Sequence, residues 1–195
     1  MKELSIPCIY QNQKMIGYGG NQDWFADQWA QKAGCGSVLG SNLYAYYHCQ
    51  TKYELDDFIA VMEQMFEYMT PGYMGYPYLY KFARTFVRIM AKDGIALKPV
   101  YQKRSKNYKQ ALTFVLNSIH ENHPVAMLIL HHRAKELEED NWHWICLTGY
   151  IEKKDGYDII FSDCGQRRII DAHILFDTYD KNVFKMVRMK IDSTK

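Results

Sequence analysis

The strongest constraint on the fold of this chain is a near-continuous apolar run at residues 124–130, Pro-Val-Ala-Met-Leu-Ile-Leu. That pattern is typical of a central strand buried on both faces of a sheet. Strand patterns also cover residues 142–151 and 157–162, and the turn residues between them predict a hairpin. Alternating apolar residues at 183–191 predict another strand. The second half of the chain is therefore expected to form a sheet.

Helical patterns fill most of the first half. Apolar residues recur at helical spacing over residues 35–49, 77–92 and 107–121. Residues 51–54, Thr-Lys-Tyr-Glu, match a capping box and predict the start of one more amphipathic helix. Helices first and an antiparallel sheet second predict an α+β domain. At 195 residues the chain is expected to form one domain over residues 1–195.

The charge balance argues against two classes of partner. Lys and Arg total 24 and Asp and Glu total 22, and a net charge of +2 is too small to favour nucleic acid or an anionic membrane. The densest basic stretch, residues 103–109, is interpreted as a solvated loop and helix start. No apolar run approaches the roughly 18 residues of a membrane-spanning helix, and residues 1–7 lack the apolar core of a signal peptide. We therefore expect a cytoplasmic location.

Cysteine usage is consistent with a reducing compartment. The chain has five cysteines without paired spacing: Cys8, Cys35, Cys49, Cys146 and Cys164. An odd number of this kind predicts free thiols rather than a disulfide framework. There is no CxxC motif, and the pair His131-His132 has no third ligand at a suggestive spacing, so no metal site is predicted. No nucleotide, flavin or phosphate-loop motif is present, and no cofactor is expected.

Three residues in chain order point to nucleophilic catalysis. Cys35 lies between two glycines at the start of a predicted helix, His143 lies between two tryptophans at the start of a strand, and Asp163 ends the next strand. In such a set the thiolate attacks, the imidazole moves the proton and the carboxylate orients the imidazole. A helix N-terminus and a nearby imidazolium both favour the thiolate. The alternative interpretation is that Cys35 is a buried core cysteine and His143 a histidine at the edge of the core. For the other four cysteines we adopt the core interpretation.

The hairpin register decides whether His143 and Asp163 can meet. A two-residue turn at Lys154-Asp155 would place Asp163 opposite Cys146, on the wrong face for His143. A three-residue loop ending in Gly156, with a bulge, would place Asp163 opposite Leu147 on the same face as His143. Four strand positions, or ~13 Å, would still separate the two residues. A further bulge or a strong twist is therefore required to bring them together.

The same chemistry needs donors for an oxyanion. The backbone N–H groups of Cys35 and Gly36 are two candidates. The candidate side-chain donors ahead of the cysteine are Asn21, Gln22, Gln28 and Gln31. We favour Gln22, because the Gly19-Gly20 turn would present it.

At these residues the chain resembles the papain-like cysteine peptidase superfamily, and within it the bacterial branch related to bacteriocin-leader peptidases. The resemblance rests on Gly34-Cys35-Gly36 opening a helix, His143 starting a strand and Asp163 on the next strand. The segment at residues 18–25 and Asn42 add to it. The resemblance implies a helical half packed on an antiparallel sheet, with the active-site cleft between them. It also implies attack of Cys35 on a peptide carbonyl, proton transfer by His143 and orientation by Asp163.

The chain departs from that family at the oxyanion donor. The family's glutamine usually lies six residues before the cysteine, where this chain has Trp29, while Gln28 and Gln22 lie seven and thirteen residues before it.

The sequence leaves three candidate functions open. The first is a peptidase or amide hydrolase. The second is another thiol acyltransferase, such as a transglutaminase-like enzyme or a thioesterase. The third is a catalytically silent peptide-binding module, in which the tyrosine-rich residues 73–80 either rim a groove or pack over the core.

Overall fold

The computed structural model describes residues 1–102 and 107–192. Within these ranges the helices are α1 (Gln28–Ala33), α2 (Cys35–Tyr47), α3 (Leu55–Tyr68), α4 (Leu79–Lys92), α5 (Tyr108–His120) and α6 (Ala172–Leu175). The strands are β1 (Lys2–Glu3), β2 (Cys8–Gln11), β3 (Lys14–Tyr18), β4 (Lys52–Glu54), β5 (Leu97–Gln102), β6 (Val125–His131), β7 (His143–Lys153), β8 (Gly156–Asp163), β9 (Gln166–Asp171) and β10 (Val183–Ile191). Most of the basic stretch at 103–109 lies outside the described residues, so its interpretation as a solvated loop stays a prediction.

The fold is α+β, as the sequence predicts. The large sheet has the strand order β5-β10-β6-β7-β8-β9, with β1 paired to β7, and its pairs are antiparallel. The apolar run at 124–130 forms β6 near the middle of this sheet, and the predicted hairpin forms β7 and β8. A second, three-stranded sheet has the order β3-β2-β4, with β4 parallel to β2. No described helix is both long and apolar enough to cross a bilayer.

Both faces of the large sheet are buried, which explains the unbroken apolar pattern of β6. On one face, alternate residues such as Val125 and Met127 pack against α5. On the other face, Ala126 and Leu128 pack with Trp144 against α2 and α4. The packing of α2 on this second face places its N-terminus beside the start of β7.

The predicted capping box at residues 51–54 is wrong. Residues 52–54 form β4, which pairs in parallel with β2 and buries Tyr53 between exposed neighbours. The helix begins at Leu55, and its N-cap residue Glu54 makes no side-chain capping hydrogen bond. Residues 52–54 stay extended because their backbone groups pair with β2, and the helix therefore starts three residues later than a cap at Thr51 would place it.

A bulge in the β7–β8 hairpin puts His143 and Asp163 on one face. The turn has two residues, Lys154 and Asp155, which is the first of the two alternatives that the sequence left open. The register shifts instead between Leu147 and Gly149, because Thr148 has no partner in β8. Cys146 then lies opposite Ser162, and continuing the register brings Asp163 opposite Ile145, two residues from His143. Diagonal neighbours of this kind lie about 7–8 Å apart at Cα, within reach of two side chains.

The bulge is held by the N-terminal strand. The carbonyl oxygen of Thr148 accepts a hydrogen bond from the Leu4 N–H at 2.8 Å, and Glu3 pairs with Gly149. The approach is close, because a Cβ at Gly149 would lie 2.6 Å from the carbonyl oxygen of Lys2. Glycine at position 149 therefore permits the pairing that fixes the register of the hairpin.

We expect Gly149→Ala to lower the free energy of unfolding by about 1–3 kcal/mol, because the added methyl group must displace the β1 backbone. Urea unfolding measures this loss. Gly72→Ala is the matched control, since a Cβ at Gly72 meets nothing within 4 Å in the described structure. A stability of Gly149→Ala equal to that of the control would contradict the role of β1 at the bulge.

Candidate functional site

Gly34 separates α1 from α2 and is the N-cap residue of α2. Gly34 ends α1 by donating its N–H to the Ala30 carbonyl at 2.8 Å, and its own carbonyl accepts from the Val38 N–H at 3.0 Å as α2 begins. A Cβ on Gly34 would lie 2.4 Å from the Ala30 oxygen, so a larger residue does not fit. Cys35 is thereby placed at the first position of a 13-residue helix, where backbone N–H groups are free to meet a negative charge.

The partly buried sulfur of Cys35 is surrounded by groups that favour its ionised form. Burial by itself raises the pKa of the thiol, but a hydrogen bond and the positive charge of His143 act in the other direction. The backbone N–H groups of Trp144 and Gly36 add two further hydrogen bonds to the sulfur. Together these contacts outweigh burial and hold the pKa of Cys35 below that of an ordinary thiol.

His143 joins Cys35 to Asp163. Its Nε2 lies 2.7 Å from Asp163 Oδ1, and the two side chains are 14% and 9% exposed. Because Nε2 is engaged by the carboxylate, Nδ1 is the ring nitrogen left for the thiol. Burial lowers the pKa of His143, but the hydrogen bonds to Asp163, Cys164 and Cys35 outweigh it and raise the pKa well above its usual value. The geometry thus favours a thiolate–imidazolium pair with a carboxylate behind it.

Asp163 is supported from behind by an arginine that sequence reasoning missed. Arg168 Nη1 donates to Asp163 Oδ2 and also to Asp140 Oδ1, the latter at 2.9 Å, while Nη2 donates to the Glu136 carbonyl at 2.8 Å. Burial raises the pKa of Asp163, but His143 and Arg168 outweigh it and keep the carboxylate ionised. The pKa of Asp140, unlike that of Asp163, is raised, because burial and the neighbouring charge of Asp163 disfavour its ionised form.

One feature of the sequence, the turn before β9, could have predicted that Arg168 lies beside β8. Cys164 and Gly165 form a two-residue turn with positive φ angles of 43° and 76° between β8 and β9. A residue followed by glycine between strand patterns predicts such a tight hairpin. That hairpin pairs Arg168 with Phe161, on the same face as Asp163.

His143, Asp163 and Cys164 also form a group of potential metal ligands, with ligand atoms within 4.8 Å of one another. Cys164 Sγ lies 3.8 Å from His143 Nε2. The same Nε2 is already hydrogen-bonded to Asp163, whose second oxygen bonds the guanidinium of Arg168. A cation therefore already neutralises this carboxylate, and the donor set fits a hydrogen-bonded ion pair better than a divalent metal site.

Gln22 is the candidate oxyanion donor that the structure brings to Cys35. It begins a short 3-10 helix, Gln22–Trp24, and lines one small cavity with Cys35, His143, Asp163 and Cys164. Its Oε1 is buried and has no hydrogen-bond partner within the described residues. Of the other candidates, Gln28 is exposed, Gln31 donates to the Phe25 carbonyl at 2.7 Å and Asn21 caps the 3-10 helix.

The loop that carries Gln22 is tied to both halves of the site. Asn42, buried on α2, accepts a hydrogen bond from the Gly20 N–H at 2.8 Å. Ser162 on β8 donates to the Tyr18 carbonyl at 2.7 Å. Gly19 has a φ of 77°, and a Cβ there would lie 2.5 Å from Ser162 Oγ. These contacts hold the turn at Gly19 and Gly20 from which the residue Gln22 follows.

Two larger cavities flank the pair of Cys35 and His143. The first, about 290 Å³, is mainly aromatic and contains Cys35 but not His143 in its lining. Its other walls include Trp29, Tyr76, Trp142 and Trp144. Trp29, which lies six residues before Cys35, where papain-like peptidases usually have a glutamine, thus lines this cavity. Within residues 73–80, Tyr76 is buried while Tyr73 is 96% exposed, so this stretch both packs on the core and reaches the cavity.

The second cavity, about 520 Å³, is polar and shares no lining residue with the first. Its lining contains His143 and Asp163 but not Cys35, together with residues 135, 136, 138, 139 and 140 from the segment before β7. The site therefore separates an apolar side next to the sulfur from a charged side next to the imidazole.

Of the other cysteines, Cys164 also contacts His143, but none of the four lies at the start of a helix as Cys35 does. Cys146 is fully buried, and burial raises its pKa to about 12. Burial also raises the pKa of Cys8 and Cys164, and Cys49 is exposed.

The comparisons with known proteins add no relative for this chain. No protein-family model matches it, and no curated protein matches it either. The argument for function therefore depends on the geometry of the site.

Proposed function

We propose that this protein is a cysteine hydrolase of a peptide or other amide, with a papain-like arrangement of a helical half and a sheet half around the cleft. The observation that carries the proposal is the contact of Cys35, at the start of α2, with a His143 ring that is bonded to Asp163 at 2.7 Å. Cysteine, histidine and aspartate in these roles are the parts of thiol-based acyl transfer.

The first half of the reaction forms an acyl-enzyme. The Cys35 thiolate attacks the substrate carbonyl carbon, and the C–N bond breaks as the imidazolium of His143 gives its proton to the leaving amine. In the second half, neutral His143 takes a proton from water, the new C–O bond forms and Cys35 leaves as the thiolate. The products are a carboxylic acid and an amine, so all atoms are accounted for.

Asp163 orients the ring and stabilises the imidazolium throughout this cycle. The Cys35 N–H at the helix N-terminus and the side chain of Gln22 are the proposed donors to the oxyanion. The aromatic cavity beside the sulfur suits an apolar group on the acyl side of the substrate. A cytoplasmic location and the lack of nucleic-acid or membrane partners remain predictions from the sequence.

Trapping of the acyl group on Cys35 tests the proposal. We expect an activated ester with an apolar acyl group, p-nitrophenyl 3-phenylpropanoate, to add one acyl group to the protein, detected by intact-mass spectrometry. Peptide mapping would place it on Cys35, and Cys35→Ala would carry none. Cys49→Ala is the control, because Cys49 is an exposed thiol in another part of the molecule.

Turnover is the second readout. Release of p-nitrophenol beyond one equivalent, followed by cleavage of a mixed peptide library, is the result expected of a hydrolase. If wild-type protein acquires no acyl group on Cys35 and cleaves nothing, the hydrolase proposal is wrong. The catalytically silent peptide-binding module would then be the better interpretation.

A further inference from the structure

We propose that the polar cavity beside His143 binds the amine part of the substrate, and that this amine carries an additional positive charge. The inference deepens the proposed function and depends on it. It specifies a cationic amine, such as a diamine or a lysine-bearing peptide, as leaving group or as acyl acceptor.

The positions of the two cavities assign the two parts of the substrate. During acyl transfer the acyl group stays attached to the Cys35 sulfur, so it occupies the cavity whose lining contains the sulfur. The amine receives its proton from His143 on leaving, or gives one to His143 on attacking, so it must lie next to the imidazole. The polar cavity of about 520 Å³ is lined by His143 and not by Cys35, and it is therefore the amine side.

The charge of the polar cavity is negative. Its lining contains five carboxylates against two basic side chains, Lys135 and Arg168, apart from His143 itself. Arg168 is already bonded to Asp140 and Asp163. None of the remaining carboxylates, those of Glu136, Glu138 and Glu139, forms an ion pair with a described residue, and all three are exposed. A cation entering this cavity therefore meets uncompensated negative charge.

Two buried acceptors point independently to a ligand that donates hydrogen bonds. Asp140, which lines the cavity, is only 2% exposed, and its Oδ2 has no hydrogen-bond partner within residues 1–102 and 107–192. Gln22 Oε1, in the same lining, is likewise buried without a partner in these ranges. A buried acceptor without a donor is costly, and an ammonium group supplies several N–H donors.

Competition between acyl acceptors tests the inference. The acyl-enzyme formed from p-nitrophenyl 3-phenylpropanoate would be offered putrescine or 4-amino-1-butanol, which differ by one ammonium group. At low salt we expect putrescine, corrected for its two equivalent amines, to be used about tenfold more efficiently. Salt at about 0.5 M should reduce this preference, because it screens exposed charges.

Charge-neutralising variants locate the effect. In Glu136→Gln/Glu138→Gln/Glu139→Gln we expect the preference for putrescine to fall to about twofold or less. Glu63→Gln/Glu67→Gln, with the same change on exposed residues of α3, is the matched control and should keep the preference.

A second pair of acceptors, Gly-Lys amide and Gly-Gln amide, separates the two sources of the cation. A preference limited to putrescine indicates a small diamine, and one limited to Gly-Lys amide indicates a peptide.

The outcomes separate this inference from the proposed function. If Cys35 is acylated and water turns it over, but neither cationic acceptor is preferred, the inference is wrong and the hydrolase proposal stands. A preference that survives in the triple glutamine variant also overturns it. If Cys35 is not acylated at all, the proposed function fails, and the inference fails with it.

Discussion

Replacing His143 by alanine is expected to slow acylation of Cys35 by about a thousandfold or more and to raise the pKa of its thiol. The physical reason is that the hydrogen bond and positive charge of His143 are the strongest contacts that oppose the effect of burial on the pKa of Cys35. The rate of Cys35 alkylation by iodoacetamide, followed by peptide mass spectrometry across pH, measures this change. In the wild type we expect Cys35 to react about tenfold or more faster than Cys49 at pH 6.

The sign of the pH dependence follows from the two pKa shifts. The pKa of Cys35 is lowered, so the thiolate forms at lower pH than an ordinary thiolate. The pKa of His143 is raised, so the imidazolium persists to higher pH than usual. Acylation by an amide substrate is therefore expected to rise as Cys35 loses its proton and to fall as His143 loses its own, which gives a bell-shaped profile.

A histidine outside the site provides the control for this prediction. His131, exposed at the end of β6, should be replaceable by alanine without change in the titration of Cys35. If Cys35 reacts slowly in the wild type and His143→Ala changes nothing, the contact between them is packing rather than chemistry.

Asp163→Asn is expected to lower the rate of acylation by about a hundredfold to ten-thousandfold while leaving the fold intact. The neutral amide removes the charge that stabilises the imidazolium, and its NH2 group can donate to the ring and so favour the wrong tautomer of His143. Because the hydrogen bond to Asp163 raises the pKa of His143, its loss should also move the basic limb of the pH profile to lower pH. Steady-state kinetics over a pH series measure both effects.

Asp158→Asn is the matched control for this substitution. Asp158 lies on the same strand and also forms an ion pair, with Lys153 at 2.6 Å, but it lies near the opposite end of β8 from Asp163. Equal rates for Asp163→Asn and wild-type protein would contradict the assignment of Asp163. Circular dichroism of each variant distinguishes a lost catalytic contact from a lost fold.

Local patterns predicted most of the secondary structure that surrounds the site. The apolar run of β6, the alternation of β10 and the helical spacing after Cys35 each reflect burial, and all three elements form as expected, although β10 is buried on both faces and not on one. The capping box at residues 51–54 failed because a parallel pairing with β2, some 40 residues earlier in the chain, replaced the local cap. Short motifs of this kind predict local structure only when no distant strand competes for the backbone.

The pairing of His143 with Asp163 shows where sequence reasoning ended. The sequence placed them on adjacent strands but left the turn length open, and it did not locate the bulge, which lies at Thr148. That bulge depends on the docking of β1, which no local pattern near the hairpin could indicate. Arg168 was missed for a similar reason, because its contact with Asp163 requires the return of β9.

The sequence by itself determined the α+β class, the position of Cys35 at a helix start, and the order of thiol, imidazole and carboxylate along the chain. These follow from periodicity and residue type, which act over short distances. Only the tertiary structure decided that Cys35 contacts His143, that Gln22 reaches the same cavity, and that Cys35 lines an aromatic cavity while His143 lines an acidic one. The physical reason is that pKa shifts, hydrogen bonds and cavities depend on distances between groups on different elements, such as Cys35 and His143, which are more than 100 residues apart in the chain, and folding alone sets those distances.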